Sequence, residues 1–467
     1  MQQPDVYRLA GFLARRFGCE AVIDLGCGPG QKFSELLPEC RLIRADYGEN
    51  VRSFNLLNGG TNSREQDLAA EVLRMQDRNL VRHSVVVCAN VIERLPDPVP
   101  LLATLRDLLQ DAPVAILTTP ERDLVRGLNH MGPPGDLRRV REWSLPELAR
   151  LLREAGLNLE FIGLTAGHDD DRAKPSILAI LRQLEMEEWV SAPPPFRVLA
   201  VMCAYNEEDV IESTLQHLTS QGVEVHLVDN WSTDRTVERA QGFLGRGLIR
   251  ISKFPAAGPS ATYDWHALLS HVEEISFAAE ADWIIHHDAD EIRESPWPGV
   301  RLSDAIYRVD REGFNAIDHT CIVFHPTGDR AEDPASLSTY KHFEFGKRPG
   351  HFLQMKAWKR QNVRVRLADS GGHTVEFPGR RTYPYKFLLR HYPIRSQEHG
   401  TSKILQDRQL RWNQLERQTR GWHVQYDHID SHHSFLRDPS ELIEFKPDSF
   451  RTEYLVERLS GIGAGRG

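Results

Sequence analysis

The feature that most restricts how this chain can fold is an alternation of short apolar runs with helical patterns. It stops at Ala192-Pro193-Pro194-Pro195 and then begins again. Ala21–Leu25, Arg41–Asp46, Ser84–Ala89 and Val114–Thr118 read as short buried strands. Residues 5–18, Val99–Leu109 and Leu145–Glu154 carry apolar residues at helical spacing. Beyond the prolines, Arg197–Met202, Val223–Val228 and Trp283–His287 read as strands again, and past Gly313 the pattern turns to short strands and aromatic loops. Strands alternating with helices predict parallel α/β sheets. Consecutive prolines fit neither a helix interior nor a central strand and favour a stiff spacer. The expected organisation is therefore an α/β domain over 1–190, a linker over 191–196 and a second α/β domain over 197–430. A C-terminal extension over 431–467 would end in a flexible glycine-rich tail.

Composition narrows the functional class. A net charge of −9 disfavours broad nucleic-acid binding, which needs a dense basic surface. The 6 cysteines form no CxxC pair and read as reduced thiols, so a cytoplasmic location is expected. No apolar run reaches the roughly 20 residues that cross a bilayer, so any membrane contact is expected to be peripheral.

The first strand runs into Asp24-Leu25-Gly26-Cys27-Gly28-Pro29-Gly30. A glycine turn at a strand end lets backbone approach a ligand, and the following helix start offers amide groups to it. Asp46 closes the second strand, where a carboxylate can accept from both hydroxyls of a ribose. Ala89-Asn90-Val91-Ile92-Glu93-Arg94-Leu95-Pro96-Asp97-Pro98 follows a later strand. With these motifs, roughly residues 1–180 resemble a class I S-adenosylmethionine-dependent methyltransferase with a Rossmann-like fold. The resemblance implies that Asp24, Gly26, Gly28 and Gly30 surround the methionine part of S-adenosylmethionine, that Asp46 holds its ribose, and that Asn90 and Val91 lie beside the sulfonium. Arg94 stands where the family often has histidine, so no acid/base role is carried to it. His130, in Asn129-His130-Met131-Gly132, is the candidate base in an acceptor loop.

In the second half, Asp288-Ala289-Asp290 follows an apolar strand. Carboxylates at that spacing can share a hard divalent cation, which neutralises a diphosphate leaving group. Ala204-Tyr205-Asn206-Glu207 follows the first strand of this half, and Asp229-Asn230-Trp231-Ser232-Thr233-Asp234 the second. In this order the motifs of residues 196–400 resemble a family 2 glycosyltransferase of GT-A (nucleotide-diphospho-sugar transferase) α/β fold. The resemblance implies a nucleotide-diphosphate sugar donor bound by Ala204, Tyr205, Asn206, Glu207, Asp229, Asp288 and Ala289. Tyr205 would lie against the base, and Asp229 would accept from base or ribose. Asp288 and Asp290 would hold Mg2+ or Mn2+, with His373 and His391 as further ligands. Asn230 and Trp231 depart from the family's usual acid and glycine, which leaves the preferred base open. For an inverting reaction Glu376 is the first candidate base, Asp369 the second and Asp318 an outside one. His286 and His287 alternate to opposite faces of their strand. Arg390, Arg395 and Lys403 are candidate phosphate contacts, and Trp422–Tyr426 reads more as core than as a sugar platform.

Together these features point to a bifunctional enzyme. One half would transfer methyl from S-adenosylmethionine, and the other a sugar to a glycan, lipid-linked or small-molecule acceptor. Two narrower readings stand beside it: a glycosyltransferase with a non-catalytic docking domain, and a metal-dependent hydrolase built on His287, Asp288 and Asp290.

Overall fold

The computed structural model describes residues 4–26, 40–46, 63–65, 73–126, 132–169, 172–182, 190–297, 299–328, 337–345, 354–383, 385–445 and 455–456. They divide into two compact units, residues 1–188 with 448–466, and residues 189–447.

In the first unit, a helix over Pro4–Phe17 precedes strands β1 (Ala21–Leu25), β2 (Arg41–Asp46), β3 (Ser63–Glu65), β4 (Ser84–Ala89), β5 (Val114–Pro120), β6 (Leu159–Asp169) and β7 (Arg172–Leu181). They form one sheet in the order β19-β6-β7-β5-β4-β1-β2-β3, β19 being Leu455–Val456. β3, β2, β1, β4 and β5 run parallel, and β7 is antiparallel to β5 and β6. The central strands β1, β4 and β5 are mainly apolar and buried almost throughout, as strands covered on both faces are. Leu9, Ala10 and Leu13 pack fully buried from the first helix. The helix Leu145–Glu154 starts on a capping box, with the Ser144 amide donating to Glu147 Oε2 at 3.0 Å. The expected Rossmann-like sheet is thus present, extended by a β6–β7 hairpin that its interrupting Gly163, Gly167 and Pro175 hide in the sequence.

The second unit holds β8 (Val198–Ala204), β9 (Glu224–Asp229), β10 (Leu248–Lys253), β11 (Trp283–Asp288), β12 (Glu291–Glu294), β13 (Ala316–Ile317), β14 (His319–Phe324), β15 (His342–Phe345), β16 (Ala357–Lys359), β17 (Phe387–His391) and β18 (Ile443–Glu444). One sheet runs β10-β9-β8-β11-β16-β13, with β10, β9, β8 and β11 parallel; a second runs β12-β17-β14-β15-β18. Leu199, Val201, Val228 and Ile284 pack against Leu268, Leu269 and Val272 of the helix Trp265–Ala278. That helix begins with its amides satisfied. Asp264 caps Ala267 at 3.0 Å, and Glu416 accepts from Trp265 and His266 at 3.2 and 2.8 Å.

The proline-rich stretch forms a turn, with Phe196 donating to Pro193 O at 2.8 Å and Ala192 to Asp304 Oδ1 at 2.8 Å. Within the stretch 431–467, expected to be an extension with a flexible tail, the described residues supply β18 to the second unit and β19 to the first, and the glycine-rich tail lies outside the described residues.

A helical stretch over Gln397–Arg411 starts on a Ser396 cap and takes a wider π pitch across Thr401–Arg408. Phe435 packs against it so closely that a Cβ at Gly400 would lie 2.4 Å from the Phe435 ring. Gly400→Ala should therefore destabilise the second unit by about 1–3 kcal/mol through overpacking, measured as a lower urea midpoint by tryptophan fluorescence.

Candidate functional site

In the first unit the sequence-singled residues Asp24, Gly26, Asn90 and Val91 gather at the carboxyl ends of β1 and β4. Asp24 is buried and accepts from the Tyr7 hydroxyl at 2.9 Å. Gly26 has φ +74°, and a Cβ there would lie 2.4 Å from Val91 Cγ2, so the position needs glycine for both backbone and space. Asn90 takes φ +57° and donates its amide to Thr118 O at 2.9 Å, which turns the chain sharply after β4. Buried Glu93 accepts from the Thr119 hydroxyl at 3.0 Å, and burial pushes its carboxyl up. Asp46 ends β2; its side chain, together with Gly28, Gly30 and His130, lies outside the described residues. Tyr7 and Glu93 carried no sequence signal of their own, being one apolar-helix residue and one member of a loop motif.

In the second unit the motifs converge on one edge. β8 lies between β9 and β11, with Ala204 opposite Asp229 and Cys203 opposite Asp288. β9 and β10 extend to one side of β8, and β11 lies on the other. The carboxyl ends of β8 and β11 therefore flank a topological switch point, where open α/β sheets bind ligands. A cavity of about 220 Å³ opens there. Ala204, Tyr205, Glu207, Asp288, Ala289 and Asp290 line it, as do His373 and His391.

Asn206 and Asp229, expected to touch the nucleotide, are not among the residues that line the cavity and hold the turns after β8 and β9. Asn206, at φ +53°, donates its amide to Ser232 Oγ at 3.0 Å and accepts from the Thr233 amide at 2.8 Å. Asp229 is fully buried and accepts from the Ser232 amide at 3.1 and 3.2 Å, and burial pushes its carboxyl up. The two departures from the family pattern have local explanations. Asn230 lines the cavity, donates to Phe254 O at 2.8 Å and accepts from Arg411 at 3.3 Å. Trp231 adopts φ +61° with its indole donating to Pro255 O at 2.8 Å and the Lys253 ammonium 4.5 Å from its ring.

Each aspartate of the pair is held by a buried lysine. Lys356 Nζ lies 2.8 Å from Asp288 Oδ2 and 2.8 Å from Glu291 Oε1. Lys403 Nζ lies 2.9 Å from Asp290 Oδ2 and 2.8 Å from Glu207 Oε1. Burial alone would raise both aspartates; Lys356 and then His286 hold Asp288 well below the usual carboxylate range, and Lys403 and His391 do the same for Asp290. His391 would be lowered by burial, but Asp290 holds it well above the ordinary imidazole value. The β12–β17 ladder fixes this neighbour by pairing Glu291 with His391. His286 is buried and pushed down to about 3, with Nε2 3.9 Å from Asp288 Oδ1. His287 Nδ1 lies 2.7 Å from Asp288 O, so both histidines back the turn.

Two groups on the cavity have the spacing that ligands of one divalent cation would need. Asp290 Oδ1 and His391 Nε2 lie 3.6 Å apart and both residues line the cavity. With metal–ligand bonds of about 2.1 Å, two ligands of one ion sit roughly 3–4 Å apart. The carboxylate oxygen suits Mg2+ or Mn2+, whereas the imidazole nitrogen suits a transition ion rather than Mg2+. His373 stands on the same cavity, its Nδ1 3.2 Å from Gln354 Nε2. No group of three or more ligands already gathered for a metal is present among the described residues.

Other sequence candidates lie elsewhere. The Glu376 side chain is 46% exposed and pairs with Arg380 at 2.7 Å; the Asp369 side chain is 62% exposed beside His266 and Arg420. Neither lines the cavity, and Asp318 is buried in an ion pair with Lys386 at 3.0 Å. Among the candidate phosphate contacts, Lys403 lines the cavity. Arg390 pairs with Glu294, and fully buried Arg395 forks onto Asp209 at 2.6 and 2.7 Å and onto Glu207 at 2.6 Å. Lys356, Asp407, Arg408 and Arg411 were not singled out by sequence, since no motif marks them. Arg411 lies 4.3 Å from the Tyr205 ring centre. His423 and Tyr426 line the cavity beside Tyr263 and Trp265, so part of the aromatic stretch read as core faces the site.

Two family models match the chain. One, a methyltransferase domain, matches residues 6–160, and the other, glycosyl transferase family 2, matches residues 199–299. The chain is thus a methyltransferase domain followed by a family 2 glycosyl transferase domain. Similar solved structures include the methyltransferase domain of a bacterial Hen1 (CtHen1), at 19% identity over 37% of this chain and 94% of that one, with a TM-score of 0.28. An S-adenosylmethionine-dependent methyltransferase from Mesorhizobium loti gives 14% identity over 37% and 96%, with a TM-score of 0.29. One from Aquifex aeolicus gives 16% over 36% and 87%, with a TM-score of 0.26. No curated protein matches the chain.

Arg395→Met would strip buried Glu207 and half-buried Asp209 of their shared partner. A loss of about 3–5 kcal/mol is expected, read as a lower unfolding midpoint, and Arg395→Lys should recover only part of it because one ammonium cannot replace the fork.

Proposed function

We propose that the protein performs two transfers: methyl from S-adenosylmethionine in the first unit, and a sugar from a nucleotide-diphosphate donor in the second. The observation that carries the second is the convergence of Tyr205, Glu207, Asp288, Asp290 and His391 on one cavity at the switch point. A bare hydrolytic site would need neither the Tyr205 turn nor the Asn230 turn.

The chain's own groups divide the work. Tyr205, with Arg411 over its ring, offers a face for the nucleoside base. Lys403 and Arg408 bring positive charge to the position of the diphosphate. Asp290 and His391, with Asp288 and His373 at hand, would hold a Mg2+ or Mn2+ ion, and such an ion supplies neutralisation of the leaving diphosphate. Tyr263, Trp265, His423 and Tyr426 give an aromatic wall suited to the apolar face of an acceptor glycan, glycolipid or small molecule. An inverting transfer needs a carboxylate to take the acceptor proton. Asp407 lines the cavity whereas Glu376 and Asp369 do not, which favours Asp407. In the first unit, Asp24, Gly26, Asn90 and Val91 would surround the methionine part and sulfonium of S-adenosylmethionine, with Asp46 on its ribose. No described helix is long and apolar enough to cross a membrane, and any membrane contact is proposed to be peripheral.

Calorimetry with UDP and GDP, each with and without Mn2+, tests the donor site. One of them should bind with metal dependence, and Asp290→Asn should weaken that binding at least tenfold. S-adenosylhomocysteine should bind independently, with at least tenfold loss in Asp46→Ala alone. Absence of all nucleotide binding would remove the donor-site reading, and absence of S-adenosylhomocysteine binding would remove the methyl-transfer reading.

A further inference from the structure

We propose that Lys403 is an exchangeable counter-ion. It holds Asp290 and Glu207 before the donor arrives, then moves onto the diphosphate, so that metal and nucleoside diphosphate tighten each other's binding. This rests on the donor-site reading above.

The charge around the cavity is balanced by the protein alone. Glu207, Asp209, Asp288, Asp290 and Glu291 are joined within 4.0 Å to Arg293, Lys356, Arg395, Lys403 and Arg408. These five carboxylates meet five cations before His391 is counted, and Asp407 and Arg411, which also line the cavity, add one charge of each sign. A divalent cation entering by itself would add uncompensated charge to a mostly buried network, and charge buried without a partner is strongly unfavourable. A diphosphate diester is doubly negative. Entering with the ion, it leaves the network balanced; entering without it, it meets carboxylates that are already fully matched.

Lys403 is the member built to exchange. Arg293, Lys356 and Arg395 are buried and none lines the cavity. Arg395 is further fixed by its planar fork. Lys403 lines the cavity from the π-pitched segment Thr401–Arg408, a geometry often found at functional sites. An ammonium has three donors on a flexible stem. Two point at Glu207 Oε1 and Asp290 Oδ2, which leaves one for a phosphate oxygen. Rotation of the stem onto phosphate keeps Glu207 within reach and exposes Asp290 Oδ2. The second oxygen of Asp290 already faces His391 at 3.6 Å. Arg408, 4.0 Å from Glu207 Oε1, remains to cover that carboxylate.

Mn2+ affinity, read by electron paramagnetic resonance of the free ion, tests this on the full chain. In the wild-type protein, saturating UDP or GDP (whichever binds) should raise Mn2+ affinity at least tenfold. Lys403→Met should bind Mn2+ without nucleotide at least tenfold more tightly than wild type, because Asp290 and Glu207 lose their internal cation. The same variant should lose at least tenfold of the preference for the nucleoside diphosphate over the nucleoside. If Lys403→Met leaves both quantities within twofold of wild type while nucleotide still binds, the Lys403 assignment is overturned and the donor site stands. Should the variant fail to fold, the wild-type coupling decides: a change in Mn2+ affinity below twofold overturns the proposal. A wild-type protein that binds no nucleoside diphosphate under any condition overturns the donor-site reading itself.

Discussion

The ion pairs between Lys403 and the carboxylates of Glu207 and Asp290 are the interaction on which the arrangement of the second unit's site depends. Glu207 belongs to the turn after β8, Asp290 to the turn after β11, and Lys403 to a helical segment more than a hundred residues downstream. One buried ammonium therefore ties both strand-end turns to the segment that covers them. Two acidic turns side by side would repel each other without it. Lys356 performs the same service on the other aspartate, joining Asp288 to Glu291. The cost of such burial is met only because each charge has a partner within hydrogen-bond distance.

The sheet makes this meeting possible. Parallel β8, β9 and β11 bring their carboxyl ends to one edge, and the reversal of strand order at β8 opens a crevice there. The second sheet delivers the remaining parts, since β17 carries His391 alongside β12 and so alongside the aspartate turn. In the first unit the same geometry recurs at the ends of β1 and β4, where Gly26 and Val91 approach too closely for any side chain on the glycine. Gly26, Asn90, Asn206 and Trp231 take positive φ in the turns after β1, β4, β8 and β9.

Much of this was legible in the sequence because it is local. A glycine that must take positive φ, an aspartate pair beyond an apolar strand and a proline run each announce themselves within a few residues. Asp24, Gly26, Asn90, Val91, Tyr205, Glu207 and the Asp288–Asp290 pair all lie at the strand ends where their motifs implied. What stayed hidden is long-range. Lys356 and Lys403 sit in unremarkable surroundings and gain meaning only through partners far away in the chain. Glu376 and Asp369 stood out through spacing alone, and the fold turns both to the surface beside arginines. Asp229 looked like a nucleotide ligand by motif, yet its oxygens cap the Ser232 turn. Aromatic residues at 423 and 426 could pack inward or face a ligand with the same pattern, and in the fold both border the cavity.

A crystal structure of the protein grown with Mn2+ and the nucleoside diphosphate that it binds, with anomalous data collected for manganese, tests the account most directly. The account predicts an anomalous peak within bonding distance of Asp290 and His391, the diphosphate beside Lys403, and the base against Tyr205. Manganese or nucleotide bound away from the carboxyl ends of β8 and β11 would contradict it.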